Sequence, residues 1–384
     1  MPIAFIDLQA QRRRIAERID AAVLKVVASG QYIFGPAVKA FETQLAAFGE
    51  AKHCLANANG TDALALPLMA WGIGEGDAVF CPSFTFAATA EVVPWFNATP
   101  VFVDVDRATY NLDPASLETA IESVKREGKL NPKAIIAVDL FGAPADYPAI
   151  QAIARKHGLK LIADSAQGFG CTLNGKHPLN WADVTTTSFF PAKPLGCYGD
   201  GGATLTNDAG DDALMRSLAF HGAGADKYDN IHIGMNSRLD AIQAAILIEK
   251  LAIFAEEIEM RNAVAARYAD LLSPHVATPK VIEGGVSTWA QYTIESEERD
   301  ALAAHLKAKE IPTAMYYPVP LHRQTAYKHF PAPGAMANTD AAAARVLALP
   351  MHPYLDYATQ DLIADAIRDF ATAGSSSAPR AASA

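Results

Sequence analysis

Residues 183–207 read DVTTTSFFPAKPLGCYGDGGATLTN. Two runs of strand-forming residues, DVTTTSFF and GATLTN, enclose a loop in which one lysine, Lys193, stands between Pro191 and Pro194, ahead of a glycine cluster. The prolines restrict the loop, and the glycines permit a close turn into the second strand. A lone amine in such an apolar, Gly-rich segment is partly desolvated, which lowers its pKa and makes its neutral form a nucleophile toward carbonyls. Taken by itself the residue also reads as a solvated loop lysine, so its surroundings decide.

From residue 53 onward, HCLAN, DAVFC, TPVFVDV, KAIIAVDL and LKLIAD precede those two runs and alternate with helical stretches. This alternation predicts an α/β fold with a mostly parallel sheet covered by helices on both faces. Before it, residues 10–29 have helical spacing, with Ile15, Ile19, Ala22, Val23 and Val26 on one face and Ser29-Gly30 as a stop. GQYIFGPAVKAFETQLAAFG then predicts a Gly-bracketed loop, a candidate ligand contact, leading into a helix whose first turn can hold Pro36. Residues 238–272 carry a helical pattern long enough to bridge two domains. Beyond it, QYTIES, IPTAMYYPVP and a closing helix over 359–372 predict a small α/β domain. A chain of 384 residues exceeds one compact core. The expected organisation is an N-terminal arm (1–30), a large domain (31–250), a small C-terminal domain (251–373) and a flexible tail (374–384) rich in Ser and Ala.

Composition narrows the function. The 32 Lys and Arg against 42 Asp and Glu give a net charge of -10, which repels phosphate backbones and argues against nucleic acid as a partner. No stretch is apolar for long enough to span a membrane, and MPIAFIDLQAQRRR lacks the order of a signal peptide. Cys54, Cys81, Cys171 and Cys197 are far apart and form no C-x-x-C pair, as expected of reduced thiols in a cytoplasmic protein with no metal site.

Asp164 ends the apolar run LKLIAD, and in an open parallel sheet an acid at a strand's carboxyl end faces the ligand crevice. A capping or solvated Asp fits the same position. In NANGTDALALPLMAW, Gly60 and Thr61 sit where a strand gives way to a helix, whose free N–H groups favour a phosphate; a plain N-cap is the alternative there. Together, an amine able to form a Schiff base, a carboxylate able to hold a protonated ring nitrogen and a helix N-terminus able to hold phosphate are what pyridoxal 5'-phosphate requires. Lys193 would then also move a proton at the donor's Cα.

These segments, with FIDLQAQ, NGTDAL, PSFTFAATAE, DSAQGFG, SFFPAKPLGCYGDGGA, MNSRLDAIQAAIL, YPVPLHRQ and LPMHPYL in order over nearly the whole chain, resemble the DegT/DnrJ/EryC1/StrS sugar aminotransferases. The resemblance implies the aspartate aminotransferase-like fold type I. It further implies that Phe86 stacks on the pyridine ring, Gln167 bonds its phenolic oxygen, and Ser188 joins the Thr61 hydroxyl and the Asp62 N–H at the phosphate. Asn236 would reach the phosphate from a neighbouring subunit, which implies a homodimer. Family members transfer an amino group, usually from L-glutamate, to a nucleotide-linked ketosugar. The variant here looks most like those acting at C3 of UDP-2-acetamido-2-deoxy-3-oxo-D-glucuronate for bacterial surface polysaccharide. Arg238 and His322 are the implied cations for the sugar's carboxylate and diphosphate, with Tyr317 and Tyr32 as further substrate contacts. The alternatives are 4-aminotransferases on GDP- or UDP-4-keto-6-deoxy sugars, 3-aminotransferases on dTDP-3-keto sugars, a sugar dehydratase, in which histidine replaces the lysine, and a non-catalytic regulator. Ser165, Thr325 and Phe86 depart from the family's commonest residues.

Overall fold

The central sheet of the computed structural model, which describes residues 2–226 and 228–376, has seven strands. They are β1 (His53–Asn57), β2 (Asp77–Pro82), β3 (Thr99–Val103), β4 (Asn131–Val138), β5 (Lys160–Asp164), β6 (Val184–Ser188) and β7 (Gly202–Thr206). Their order is β1-β7-β6-β5-β4-β2-β3. Neighbours from β6 to β3 pair in parallel, while β7 lies antiparallel between β1 and β6. The loop carrying Lys193 contains no helix that could cover a parallel crossover, so the chain turns straight back into β7.

Successive strand residues point to opposite faces, and both faces are buried. Phe80, Ile135 and Leu161 pack on one side against Leu117 and Ile121 of the helix Pro114–Glu127 and Ile150 of the helix Tyr147–His157. Their neighbours Val79, Ile136 and Ile162 pack on the other side against Leu64 and Leu68 of the helix Gly60–Ala70. All seven strand runs read from the sequence are present.

The expected helix over residues 10–29 is instead two, Leu8–Arg14 and Ala16–Ser29. The backbone breaks at Ile15, whose buried side chain joins Ile19 against Ile246 and Ile253. Those partners belong to the long helix Ala241–Leu272, which passes through two cores. Its first half, with Leu247 and Phe254, packs against Phe41, Leu45 and Phe189; its last turns, with Tyr268 and Leu272, pack against Tyr292, Leu302 and Ile363. Residue 250, the expected domain boundary, falls inside this continuous helix.

The C-terminal part pairs Tyr292–Glu295 with Val346–Leu349 antiparallel. IPTAMYYPVP forms no strand and contributes only a bridge from Ala314 to Ala348, since Pro312, Pro318 and Pro320 lack the N–H that a ladder needs. The closing helix runs Tyr357–Ser376, so residues 374–376 of the expected tail are helical, and residues 377–384 lie outside the described residues. Among the described residues no helix is long and apolar enough to cross a membrane.

Candidate active site

Parallel strands bring the carboxyl ends of β2, β4, β5 and β6 to one edge, where crevices form in such sheets. Asp164 ends β5 and lies in register with Val138 of β4 and Thr186 of β6. Gly202 stands opposite both Asn57 at the end of β1 and Ser188 at the end of β6. The helix Gly60–Ala70 begins against this row. A Cβ on Gly60 would stand 2.6 Å from the Ser188 Cβ, and one on Gly202 would stand 2.4 Å from the Asn59 carbonyl oxygen. Two glycines therefore let the helix start seat on the strand ends. Asn59 is the N-cap, accepting the Asp62 N–H through Oδ1 at 2.8 Å. The alternative of Thr61 as the cap is thereby set aside, and the Asp62 N–H, expected at the phosphate, donates to Asn59. The N–H groups of Gly60 and Thr61 have no acceptor among the described residues, and the hydroxyls of Thr61 and Ser188 lie beside them.

Asp164 is buried, which sets aside the solvated reading. Thr89 Oγ1 donates to its Oδ2 at 2.9 Å and the Ala166 N–H donates to its Oδ1 at 3.1 Å. Burial pushes its pKa up, against the pull of these hydrogen bonds and the positive charge of Lys193. For Lys193, burial lowers the pKa while the negative charge of Asp164 opposes it. The acid and the amine thus sit in each other's field. A partly buried amine held this way keeps a larger neutral, nucleophilic fraction than an exposed lysine.

Gln167 is buried; its Oε1 accepts the Phe141 N–H at 2.7 Å and its Nε2 donates to the Tyr317 hydroxyl at 3.0 Å, leaving one amide hydrogen to give. The Phe86 ring is 55% exposed and so is no core residue, with its centroid 6.3 Å from that of Tyr317. His322 is anchored, not solvated: Nδ1 lies 2.7 Å from Ser83 Oγ, and its backbone N–H donates to the same oxygen at 3.1 Å. Burial lowers the His322 pKa, opposed by Asp340, whose Oδ1 is 3.5 Å from Nε2.

Tyr32, Asn236 and Arg238 form a second group. The Tyr32 carbonyl accepts the Ala241 N–H at 2.8 Å while its ring is exposed. The Arg238 guanidinium lies 5.9 Å from the Phe34 ring centroid and 5.6 Å from that of Phe220, in a cleft of about 1050 Å³ that Lys193 and Asp164 do not line. Asn236 is exposed, and its side chain has no hydrogen-bond partner among the described residues. Ser237 Oγ accepts the Ala58 N–H at 3.1 Å and so ties this segment to the chain just before Gly60.

Two residues at the edge escaped the sequence reading. Thr89, inside the apolar run FAATAE, orients Asp164 and carries no local signal. Asp139 follows β4 as Asp164 follows its own apolar run, so the same rule would have found it. It is buried, accepts from Ser165 Oγ, Tyr147 Oη and the Ala145 N–H, and burial pushes its pKa up to about 7.

Comparison with known proteins shows the family. The sequence model of the DegT/DnrJ/EryC1/StrS aminotransferase family matches residues 13–368. The UDP-2-acetamido-2-deoxy-3-oxo-D-glucuronate aminotransferase of Pseudomonas aeruginosa is 48% identical over 366 residues, covering 95% of this chain and 99% of that one. A crystal structure of a DegT DnrJ EryC1 StrS aminotransferase from Brucella abortus superposes with TM-score 0.95 at 54% identity, over 96% of this chain and 99% of that one. NtdA of Bacillus subtilis with bound cofactor PMP superposes with TM-score 0.84 at 27% identity, over 93% of this chain and 82% of that one. On its sequence and on the fold type I architecture, the chain belongs to the DegT/DnrJ/EryC1/StrS aminotransferase family.

Proposed function

We propose that this aminotransferase works as a cytoplasmic homodimer and moves an amino group from L-glutamate to C3 of UDP-2-acetamido-2-deoxy-3-oxo-D-glucuronate, in the making of bacterial surface polysaccharide such as O-antigen. The observation that carries the reading is Asp164, buried at the carboxyl end of β5 and oriented by Thr89 and the Ala166 N–H, with the Lys193 amine in its field. The substrate is argued from near-half identity to the Pseudomonas enzyme over its full length. The four free, buried thiols suit a reducing compartment.

The residues fit pyridoxal 5'-phosphate. The uncommitted N–H groups of Gly60 and Thr61, with the Thr61 and Ser188 hydroxyls, suit its phosphate. The buried Asp164 carboxylate suits a protonated ring nitrogen, the exposed Phe86 face a flat ring, and the free amide hydrogen of Gln167 a phenolic oxygen. When bound, that cofactor supplies an electron sink for the Cα–H bond of the amino donor. Asp164, held in place by Thr89 Oγ1 and the Ala166 N–H, would keep that ring nitrogen protonated. Lys193 Nζ, its pKa lowered by burial, takes and returns the proton at the donor's Cα. Arg238 and His322 are assigned to the anionic groups of the sugar nucleotide. Arg238 has no carboxylate partner among the described residues, so its guanidinium is open to one.

The test is a product assay with glutamate and a panel of nucleotide-linked ketosugars, read by mass. The 3-amino uronate is the expected product. Turnover of 6-deoxy sugars alone overturns the substrate, and unchanged turnover by Lys193→Ala overturns the catalytic assignment.

A further inference from the structure

Lys250 lies on the long helix, yet it is only 1% exposed. Its Nζ donates to the Gly196 carbonyl at 2.6 Å and stands 4.3 Å from the Tyr198 ring centroid. Two turns earlier on the same helix, Gln243 accepts the Tyr198 N–H at 2.8 Å and donates to the Tyr198 carbonyl at 3.3 Å. The helix therefore grips residues 196–198 at two points. That span is the far side of the loop that carries Lys193. The loop is closed on itself: the Lys193 N–H donates to the Phe190 carbonyl and the Cys197 N–H to the Phe189 carbonyl, each at 2.8 Å. Gly196 is pressed so near Pro191 that a Cβ would stand 2.5 Å from the Pro191 carbonyl oxygen. With so little slack, the position of Gly196 sets that of Lys193.

Burying an ammonium is costly, and an aliphatic residue would serve a helix face that only packed. Among the described residues no carboxylate lies within ion-pair distance of Lys250; beyond the more distant charge of Glu257, its contacts are the Gly196 carbonyl and the Tyr198 ring, both in the loop. We propose that Lys250 is a positioning residue, whose hold on the Gly196 carbonyl fixes the loop that presents Lys193 to the aldehyde of pyridoxal phosphate. The proposal rests on the reading of Lys193 given above.

The test follows attachment of the cofactor, apart from turnover. Apoenzyme is mixed with pyridoxal phosphate, samples are quenched with borohydride over time, and labelled Lys193 peptide is quantified by mass. Lys250→Met keeps the unbranched stem of the side chain and removes its donor. Labelling should slow by about 10- to 100-fold, the cost of a misplacement on the order of 1 Å, and Lys250→Arg, which keeps a charged donor, should recover part of the rate. Gln243→Ala, which releases the Tyr198 end of the same grip, should slow labelling less, and it decides the matter if Lys250→Met does not fold. Labelling at the parent's rate in the folded variants overturns the proposal. Failure of the parent itself to label at Lys193 overturns the underlying reading instead.

Discussion

Ser165 Oγ donates to Asp139 Oδ2 across 2.5 Å, and the Asp139 N–H donates to the Asp164 carbonyl at 3.0 Å, so the residue after Asp164 is locked to the neighbouring strand end. Asp139 also accepts from Tyr147 Oη at 2.7 Å and the Ala145 N–H at 3.2 Å. Burial outweighs all three and pushes its pKa up to about 7. An unfolded Asp titrates near about 3.9. The native state therefore keeps this proton to higher pH than the unfolded chain does. The resulting stability is complete below the unfolded pKa and is lost as pH rises through the folded one, at no more than about 1.4 kcal/mol per pH unit. Asp139→Asn cannot ionise. Between pH 5 and 8 the parent's Tm should fall relative to that variant's, and parallel curves would mean that Asp139 is already ionised in the native state.

Asp164→Asn should change Lys193 before any substrate is present. The carboxylate is what opposes the downward push of burial on the amine. Without it the Lys193 pKa falls, by about one unit for each 1.4 kcal/mol of lost attraction. In the apoenzyme, the pH midpoint for acylation of Lys193, quantified by peptide mass, should move down. An upward move or none would mean that the two groups are not coupled. Amino transfer should drop by about two orders of magnitude or more, the scale of losing one preorganised electrostatic partner.

Gly60→Ala sets a methyl group against Ser188, where its Cβ would stand 2.6 Å from the serine Cβ. Overpacking of this kind costs about 1–3 kcal/mol. The helix start must shift away from β6, and with it the N–H groups of Gly60 and Thr61. Affinity for pyridoxal phosphate should fall about tenfold, the equivalent of about 1.4 kcal/mol, as measured by fluorescence titration of the apoenzyme. Gly74→Ala, whose Cβ would meet nothing nearer than 3.9 Å, is the control and should bind as the parent does.

The sheet and its edge were legible because the strand runs are apolar and bounded, so that Asp164 and Lys193 could be placed at carboxyl ends by position, while Ser188 was singled out only by the family resemblance. What escaped depends on contacts between distant segments. Asn59 and Thr61 are both good caps, and only the seating of the helix start on β6 and β7 selects Asn59. Lys250 reads as part of the polar side of an amphipathic helix, yet it is buried because the Lys193 loop folds over it. Ile15 fits a continuous helix by spacing, and its packing against Ile246 and Ile253 goes with a break that spacing does not show.

Asn236 bears on the oligomer and on the completeness of the site. Its side chain is exposed and without a hydrogen-bond partner among the described residues, close in the chain to Ile231 and Ile233, the latter 88% exposed. Apolar side chains this open suit burial by a second copy. If Asn236 serves the partner's phosphate site, Lys193→Ala and Asn236→Ala damage different halves of one site. A hybrid of the two variants then has one site with both defects and one with neither. Mixing the inactive variants under subunit exchange should restore roughly a quarter of the parent activity, since about half the dimers are hybrids with one intact site each. If Asn236 served its own subunit, every site in every hybrid would carry one defect, and mixing would restore nothing. Activity of the mixture over time, with sedimentation to establish the dimer, separates the two arrangements.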